Sequence, residues 1–576
     1  MITLGSCPKA YHKDLDKACS PAQTIARVKQ ALARSGRNIL AENRRIDTGR
    51  LGIPVYMSIC GTDAKAVMPG RKQMGKGTSP EQAEASALME LMERYDFFTF
   101  WKQKSRFSSM TWGEAAKAFG QDLIPIEEIL HSVGDTCTPQ QAAAALDLIP
   151  WQFCKILDLT SGREVMAPLD WFRQLNEYNG SSAGNTDAES ILQATCELVE
   201  RHVSALADRD HPTLPTISIH EHDDPVLVDL VNKFVAQGIK VILKDMTCGM
   251  PLPTVAALAY DPTTFPQQSE IVFTAGTATS PAKAAIRALT EVAQLAGDFE
   301  SKTTYEPSGL SKYNSLEEIE WITKGPCCTL ADLPVMASDD IAQELEHTVR
   351  ALAQQGFTVY SVATTLKALG IPTHYTFIPG FAFRERTPHA SVGMLTGKKI
   401  IATSPLDEAA AKLDRLEELF PQAHFLPFYR AQLSLNQGFP DKAQALFALS
   451  EEVQPDDETR AMSAFYQGHC LTLQNQWTEA IPHLKRAISL QHDVKEYHNL
   501  YGVCLFKLNE FDKAALCFQK ALALDAGSAM DMANLGLCHV KTGKTDQAIA
   551  CLQEAVTMDP TIEFAWKHLV DLTSQS

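Results

Sequence analysis

Two hydrophobic textures divide the chain. Up to about residue 400, short β-branched runs alternate with amphipathic helical stretches. Val55-Tyr-Met-Ser-Ile-Cys-Gly, Val241-Ile-Leu-Lys-Asp, Thr254-Val-Ala-Ala-Leu-Ala, Glu270-Ile-Val-Phe-Thr-Ala and Phe357-Thr-Val-Tyr-Ser-Val-Ala read as strands. Strands interleaved with helices predict a mixed α/β (α+β) body over residues 1–400. An acidic helical stretch, 404–420, supplies most of a connector over 401–424. Residues 425–576 change to helix pairs with a period of 34: Gly468, Gly502 and Gly536, then Ala480, Ala514 and Ala548, then Leu484, Phe518 and Leu552. Small residues at these places let two helices approach while the larger ones fill between them, so this half is predicted to be an all-α solenoid.

Composition changes this picture little. A hydrophobic content of 45% and a charged fraction of 21% describe a globular chain. The net charge of −17 argues against nonspecific nucleic-acid or anionic-membrane partners, which need basic surfaces. The start of the chain lacks a signal-peptide pattern, and no apolar run approaches a membrane span. Fourteen scattered cysteines without a C-x-x-C pair point to reduced thiols and a cytoplasmic setting rather than a zinc or redox centre.

The chemistry lies in three helices of the first body. Glu-Leu-x-Glu-Arg occurs at 90–94 and again at 197–201, and a related helix reads Arg287-Ala-Leu-Thr-Glu291-Val-Ala-Gln294. The predicted N-caps are Ser79 and Thr186, each opening a capping box, and Ser280. Counted from them, Glu90, Glu197 and Glu291 each lie eleven residues in, and Glu93, Glu200 and Gln294 fourteen. Residues three apart share a helix face. One such pair alone describes a solvated helix surface. Three in one register, beside apolar stripes, describe a site where several carboxylates await a cation. Mg2+ prefers oxygen ligands and is commonly shared with phosphates, while Arg94, Arg201 and Arg287 supply guanidinium groups for phosphate oxygens. The turn Gly75-Lys76-Gly77-Thr78 lacks the spacing of a Walker loop and reads as a glycine-rich helix entry, from which Lys76 can approach phosphate.

These motifs resemble the YcaO family. The first element, S-x-x-x-E-x-x-E-R, matches Ser86, Glu90, Glu93 and Arg94. The second runs Tyr178-Asn-Gly-Ser-Ser182-Ala-Gly-Asn185-Thr and then Glu197, Glu200 and Arg201; the third is Arg287, Glu291 and Gln294. An N-terminal Lys/Thr pair corresponds to Lys17 and Thr24. The resemblance implies an ATP- and Mg2+-dependent enzyme that phosphorylates a peptide backbone amide, giving azolines or thioamides. It implies Mg2+ or catalytic roles for Glu90, Glu93, Glu197, Glu200 and Glu291. Nucleotide contacts would fall to Lys17, Thr24, Ser86, Ser182, Asn185, Arg201, Arg287 and Gln294. Two departures stand out: Tyr178 replaces the serine that opens the second motif, and the chain passes Pro379-Gly380 into helices instead of a proline-rich tail. The second departure favours the non-azoline branch, linked to thioamidation or to assisting methylthiolation of a ribosomal protein.

The 34-residue period resembles the tetratricopeptide (TPR) repeat, with Ala443 and Phe447 in a degenerate opening unit and Phe564-Ala-Trp starting a capping helix. The resemblance implies a peptide or protein substrate, a TPR-bound protein partner or self-association, and a homodimer. The alternative reading is a non-catalytic nucleotide-binding scaffold acting through its TPR module.

Overall fold

A computed structural model describes residues 4–574 except 297–298, 300–312, 385 and 387–388. The described residues form two compact units. The first takes those within Met1–Pro139, Pro150–Tyr305 and Lys312–Thr387; the second takes those within Gln140–Ile149 and Pro388–Ser576.

The first unit holds three sheets. β1 (Leu40–Arg45), β2 (Val55–Cys60) and β3 (Lys72–Lys76) form an antiparallel sheet in that order. β4 (Ser108–Met110), β5 (Trp151–Asp158), β6 (Glu164–Pro168) and β7 (Ser181–Ala183) begin a second. β8 (Thr216–Ile217), β9 (Lys240–Asp245), β10 (Thr254–Tyr260), β11 (Val272–Thr277) and β12 (Cys327–Cys328) make a third, in the order β11-β10-β9-β8-β12. β13 (Tyr360–Ala363) and β14 (Thr373–Phe377) return to the second, ordered β4-β5-β13-β14-β7 with β6 alongside β5. Each β11, β10 and β9 pairing is antiparallel, and every residue of β10 is buried, as its unbroken apolar run requires. The predicted strands all lie on observed ones. β3, with one apolar side chain in five, carried no strand signal.

Three long helices follow sheet strands directly: Pro80–Lys102 after β3, Asp187–Asp210 after β7 and Pro281–Ala296 after β11. Glycine makes the junctions possible. A Cβ on Gly75 would stand 2.0 Å from the Ala87 nitrogen, one on Gly184 2.4 Å from the Ser190 nitrogen, and one on Gly276 2.3 Å from the Ala284 oxygen. The strand end therefore lies against the backbone of the helix it feeds, which holds each helix in a fixed place on its sheet.

The second unit is helical and carries the TPR pairs, among them Asp457–Leu473 with Trp477–Leu490, Lys495–Lys507 with Phe511–Leu524, and Ala529–Lys541 with Thr545–Met558. Gly468, Gly502 and Gly536 face Leu484, Phe518 and Leu552 at 2.9 Å from an added Cβ, the small-to-large fit that the period predicted. The boundary falls earlier than the expected 400. Helix Val392–Thr403 joins the second unit because Gly393 and Gly397 are covered by the rings of Phe420, Phe425 and Tyr429. Helix Pro139–Leu146 also lies largely there, with Gln141 donating to the Leu419 carbonyl at 3.3 Å. Among the described residues no helix is long and apolar enough to cross a membrane.

Candidate active site

The three helices are capped alike. Ser79 Oγ accepts the Gln82 N–H at 3.2 Å, with Pro80 in the first turn; Thr186 Oγ1 accepts from Glu189 at 3.1 Å, and Ser280 Oγ from Lys283 at 3.4 Å. The predicted capping boxes close on one side only. No hydrogen bond returns from the Gln82 side chain to Ser79, and Glu189 is drawn away by the Asn185 and Ala18 N–H groups at 3.2 and 2.9 Å.

Of the side chains eleven and fourteen residues past these caps, the five glutamates converge. The Lys76 ammonium, at the end of β3, forms an ion pair with Glu291 of the third helix. It also lies within electrostatic reach of Glu90 on the first helix, Glu200 and Arg201 on the second, and Arg287 on the third. On the first helix Arg94 stands 3.8 Å from Glu90 and 3.4 Å from Glu93, and its guanidinium lies 4.2 Å above the Tyr178 ring. Ser181 donates to Glu93 at 2.8 Å. On the second, Arg201 is 3.9 Å from Glu197, and Glu200 accepts the Thr277 N–H at 2.9 Å. Arg287 donates to Gln193 at 2.8 Å, and its Nε is buried without an acceptor.

The same groups shift one another's ionisation. Burial raises the Glu90 carboxyl against the pull of Arg94 and Lys76. Glu93 is pushed up to about 8 by burial, opposed by Arg94 and reinforced by repulsion from Glu197 and Glu90. Glu197 rises through burial, with Arg201 and Arg94 opposing. Lys76 is driven down to about 8 by burial and then by Arg287. Acids and bases that disfavour their own charges in this way are poised to accept a charged ligand.

A second cluster adjoins it. Lys17 Nζ is 3.7 Å from Glu189, whose carboxylate also accepts the Asn185 side-chain amide at 3.1 Å; Thr24 donates to Asn185 Oδ1 at 3.1 Å. Lys17, Glu189, Gln193, Thr277 and Arg287 line one open cavity, which joins the two clusters. Ser182 is spent elsewhere, donating to the Ser190 carbonyl at 2.5 Å, so its hydroxyl proton is not free for a nucleotide. Ser86 lies one turn before Glu90 and Gln294 one turn after Glu291, both half-buried. Lys76, Ser181, Gln193 and Thr277 are site residues that motif spacing did not single out. The glycine-flanked position of Lys76 was the one signal available.

The donor set fits Mg2+ and a polyphosphate. Five carboxylates meet four cationic side chains, and Arg287 Nε is a buried donor with no acceptor. Among the described residues no three of His, Cys, Asp and Glu are yet gathered as a metal-holding group. Glu291 is held by Lys76, Glu93 by Ser181 and Arg94, and Glu200 by the Thr277 N–H.

The family model for YcaO cyclodehydratase, ATP- and Mg2+-binding, matches residues 74–382, more than half of the chain. This chain belongs to the YcaO family. Models for anaphase-promoting complex subunit 3 and for a tetratricopeptide repeat match residues 441–521 and 532–562 of the YcaO protein's helical unit. An uncharacterized protein of Methanothermobacter thermautotrophicus is 26% identical over 387 residues, 63% of this chain and 94% of that protein. One of the tfuA 3′ region of Rhizobium leguminosarum bv. trifolii is 27% identical over 308 residues, 49% of this chain and 66% of its own length. A heterocyclase solved in complex with substrate and cofactor shares the fold at a TM-score of 0.52 and 21% identity, over 66% of this chain. The chain spans about half of that heterocyclase, 54%.

Proposed function

We propose that this YcaO protein is an ATP-dependent enzyme that activates a peptide backbone amide. The observation that carries the reading is the Lys76 junction, where side chains of all three matched helices meet. An amide oxygen is a weak nucleophile, so the site must hold ATP and amide in line and balance the charge of the moving phosphoryl group. The amide oxygen attacks the γ-phosphorus and ADP leaves. A nucleophile then adds to the activated carbon and expels phosphate. Arg201 and Arg287 would grip phosphate oxygens, and Lys17, Thr24, Asn185, Ser86 and Gln294 would seat the nucleotide. Glu90, Glu93, Glu197, Glu200 and Glu291 would hold Mg2+, which when bound neutralises phosphate charge.

The helical continuation past Pro379-Gly380 supports the finer reading: sulfide as nucleophile, giving a thioamide, or an accessory role in methylthiolation of a ribosomal protein. Its TPR unit would recruit the protein substrate or a second copy of the chain. Mass spectrometry of peptides and ribosomal proteins from cells with and without the protein separates oxygen-to-sulfur exchange from loss of water. Phosphate release from Mg-ATP, stimulated by substrate and lost in folded Glu90→Ala and Glu197→Ala, is the expected result. Turnover unchanged in both variants would end the proposal.

A further inference from the structure

Beyond the acids, the first site helix runs on through Phe97 and Trp101. There the polar side chains are donors in want of acceptors. Arg173 stacks on Trp101 with its guanidinium carbon 4.6 Å from the ring centroid, and among the described residues the guanidinium makes no hydrogen bond or ion pair. The acid within electrostatic reach, Asp170, accepts the Gln152 N–H at 2.9 Å instead. The Trp101 Nε1 and Arg386 Nε groups are buried and donate to nothing, and the Tyr375 hydroxyl, on a fully buried residue beside the Asn176 side chain, meets no acceptor for its own proton. Arg386 otherwise donates to Asn176 Oδ1 at 2.7 Å and the Ser132 carbonyl at 3.1 Å, so no carboxylate of the described residues balances it either. Both guanidinium groups act on Tyr375, whose ring lies 5.3 Å from that of Phe97.

A half-buried cation without a counter-charge is held at a cost, and buried unfilled donors add to it. An anionic acceptor with two oxygens relieves both at once. We propose that Arg173, Trp101 Nε1, Tyr375 and Arg386 form a carboxylate-binding subsite for the substrate peptide. This rests on the amide-activation reading above. The subsite is tied to the acid cluster at two points: Arg94 and Phe97 share a helix, and Tyr178, beneath Arg94, follows Asn176 by two residues. From Arg94 to Trp101 is seven residues of helix, about 10 Å at ~1.5 Å each. An extended peptide covers that distance in about three residues. The carboxylate is thus an acidic side chain or a C-terminal carboxylate about three residues from the reacting amide.

The test uses the full chain and three short alanine peptides at one ionic strength: one amidated with an internal Asp, one with a free C-terminal carboxylate, and one amidated and neutral. Calorimetry should show one carboxylate peptide binding about tenfold or more tighter than the neutral one, as for a charge-assisted pair. Which peptide does so names the source of the carboxylate. Arg173→Met should abolish the preference and Arg173→Lys should keep part of it. Because Arg173→Met removes an uncompensated cation, it should melt at or above the parent temperature, which shows that it folds. Equal binding of all three peptides, or a preference that survives Arg173→Met, overturns the subsite. Absence of ATP turnover would sink the amide-activation reading alone, since the carboxylate preference is measured without ATP.

Discussion

Removing the Lys76 ammonium would leave Glu291 without its ion-pair partner and take a lysine from beside Glu90 and Glu200. Lys76→Met is therefore expected to lower kcat/KM for Mg-ATP by about 10²-fold or more, read as phosphate release, with the fold retained. The acids of this site were legible because the chain repeats them at one register. The lysine was legible only as a glycine-flanked cation able to approach phosphate, since its pairing depends on Glu291, more than two hundred residues away. The same dependence holds for Asp96, one turn past Glu93. Its Oδ2 accepts the Leu366 N–H and the Thr373 hydroxyl, both at 3.0 Å, while Oδ1 is buried and unpartnered. Burial pushes this carboxyl from 3.8 up to about 7. Between those values the folded chain binds a proton that the unfolded chain has released, so stability should fall as pH rises from about 4 to 7 and then level off. Asp96→Asn keeps an acceptor for both hydrogen bonds and removes the titration. From pH 5 to 8 its denaturation free energy should gain on the parent by on the order of 1–3 kcal/mol. A difference between the two proteins that does not vary with pH would refute the assignment.

Helices and strands differed in how plainly they could be read. Caps and apolar stripes marked the three site helices from sequence, because an N-cap and its helix are local. The capping boxes were half wrong for a tertiary reason: Glu189 is claimed by Asn185 and by Ala18, from a distant segment. β3 was invisible, since its five residues Lys72-Gln-Met-Gly-Lys show neither alternation nor an apolar run. Yet it matters as much as the helix it feeds, because Gly75 sets their separation. Gly75→Ala would drive a Cβ into the Ala87 nitrogen at 2.0 Å and the Ala83 oxygen at 2.5 Å. Backbone cannot yield there as a side chain could, so a loss on the order of 3 kcal/mol or more is expected. Gly36→Ala is the control. That helix-terminal glycine has φ +64° and open space around it, so only the left-handed strain of about 1 kcal/mol should appear. Chemical denaturation of the two variants measures the contrast. Mg-ATP affinity should fall with Gly75→Ala and hold with Gly36→Ala.

At the scale of the molecule, each unit packs around its own apolar residues. Leu258, Val255 and Leu289 are buried within the YcaO body, and Leu552, Ala555 and Phe518 within the TPR unit. The 34-residue period made the TPR pairs readable, because one packing solution recurs three times. Where the helical unit begins was less readable, since helix Val392–Thr403 is apolar enough for either unit and only the rings over Gly393 and Gly397 decide. This division predicts separable effects. Gly502 lies against Phe518, with 2.9 Å from an added Cβ to the ring, so a leucine there must force the two helices apart. Gly502→Leu is expected to destabilise the repeat by about 2–4 kcal/mol, beyond the small helix-propensity gain of losing a glycine. A lower melting midpoint for the helical signal should be seen, while calorimetric affinity for Mg-ATP stays within about twofold of the parent. If the TPR unit recruits the protein substrate, modification of that protein falls as well, while phosphate release driven by a short peptide persists. Loss of Mg-ATP affinity in step with the helical signal would show instead that the YcaO body depends on the repeats for its own fold.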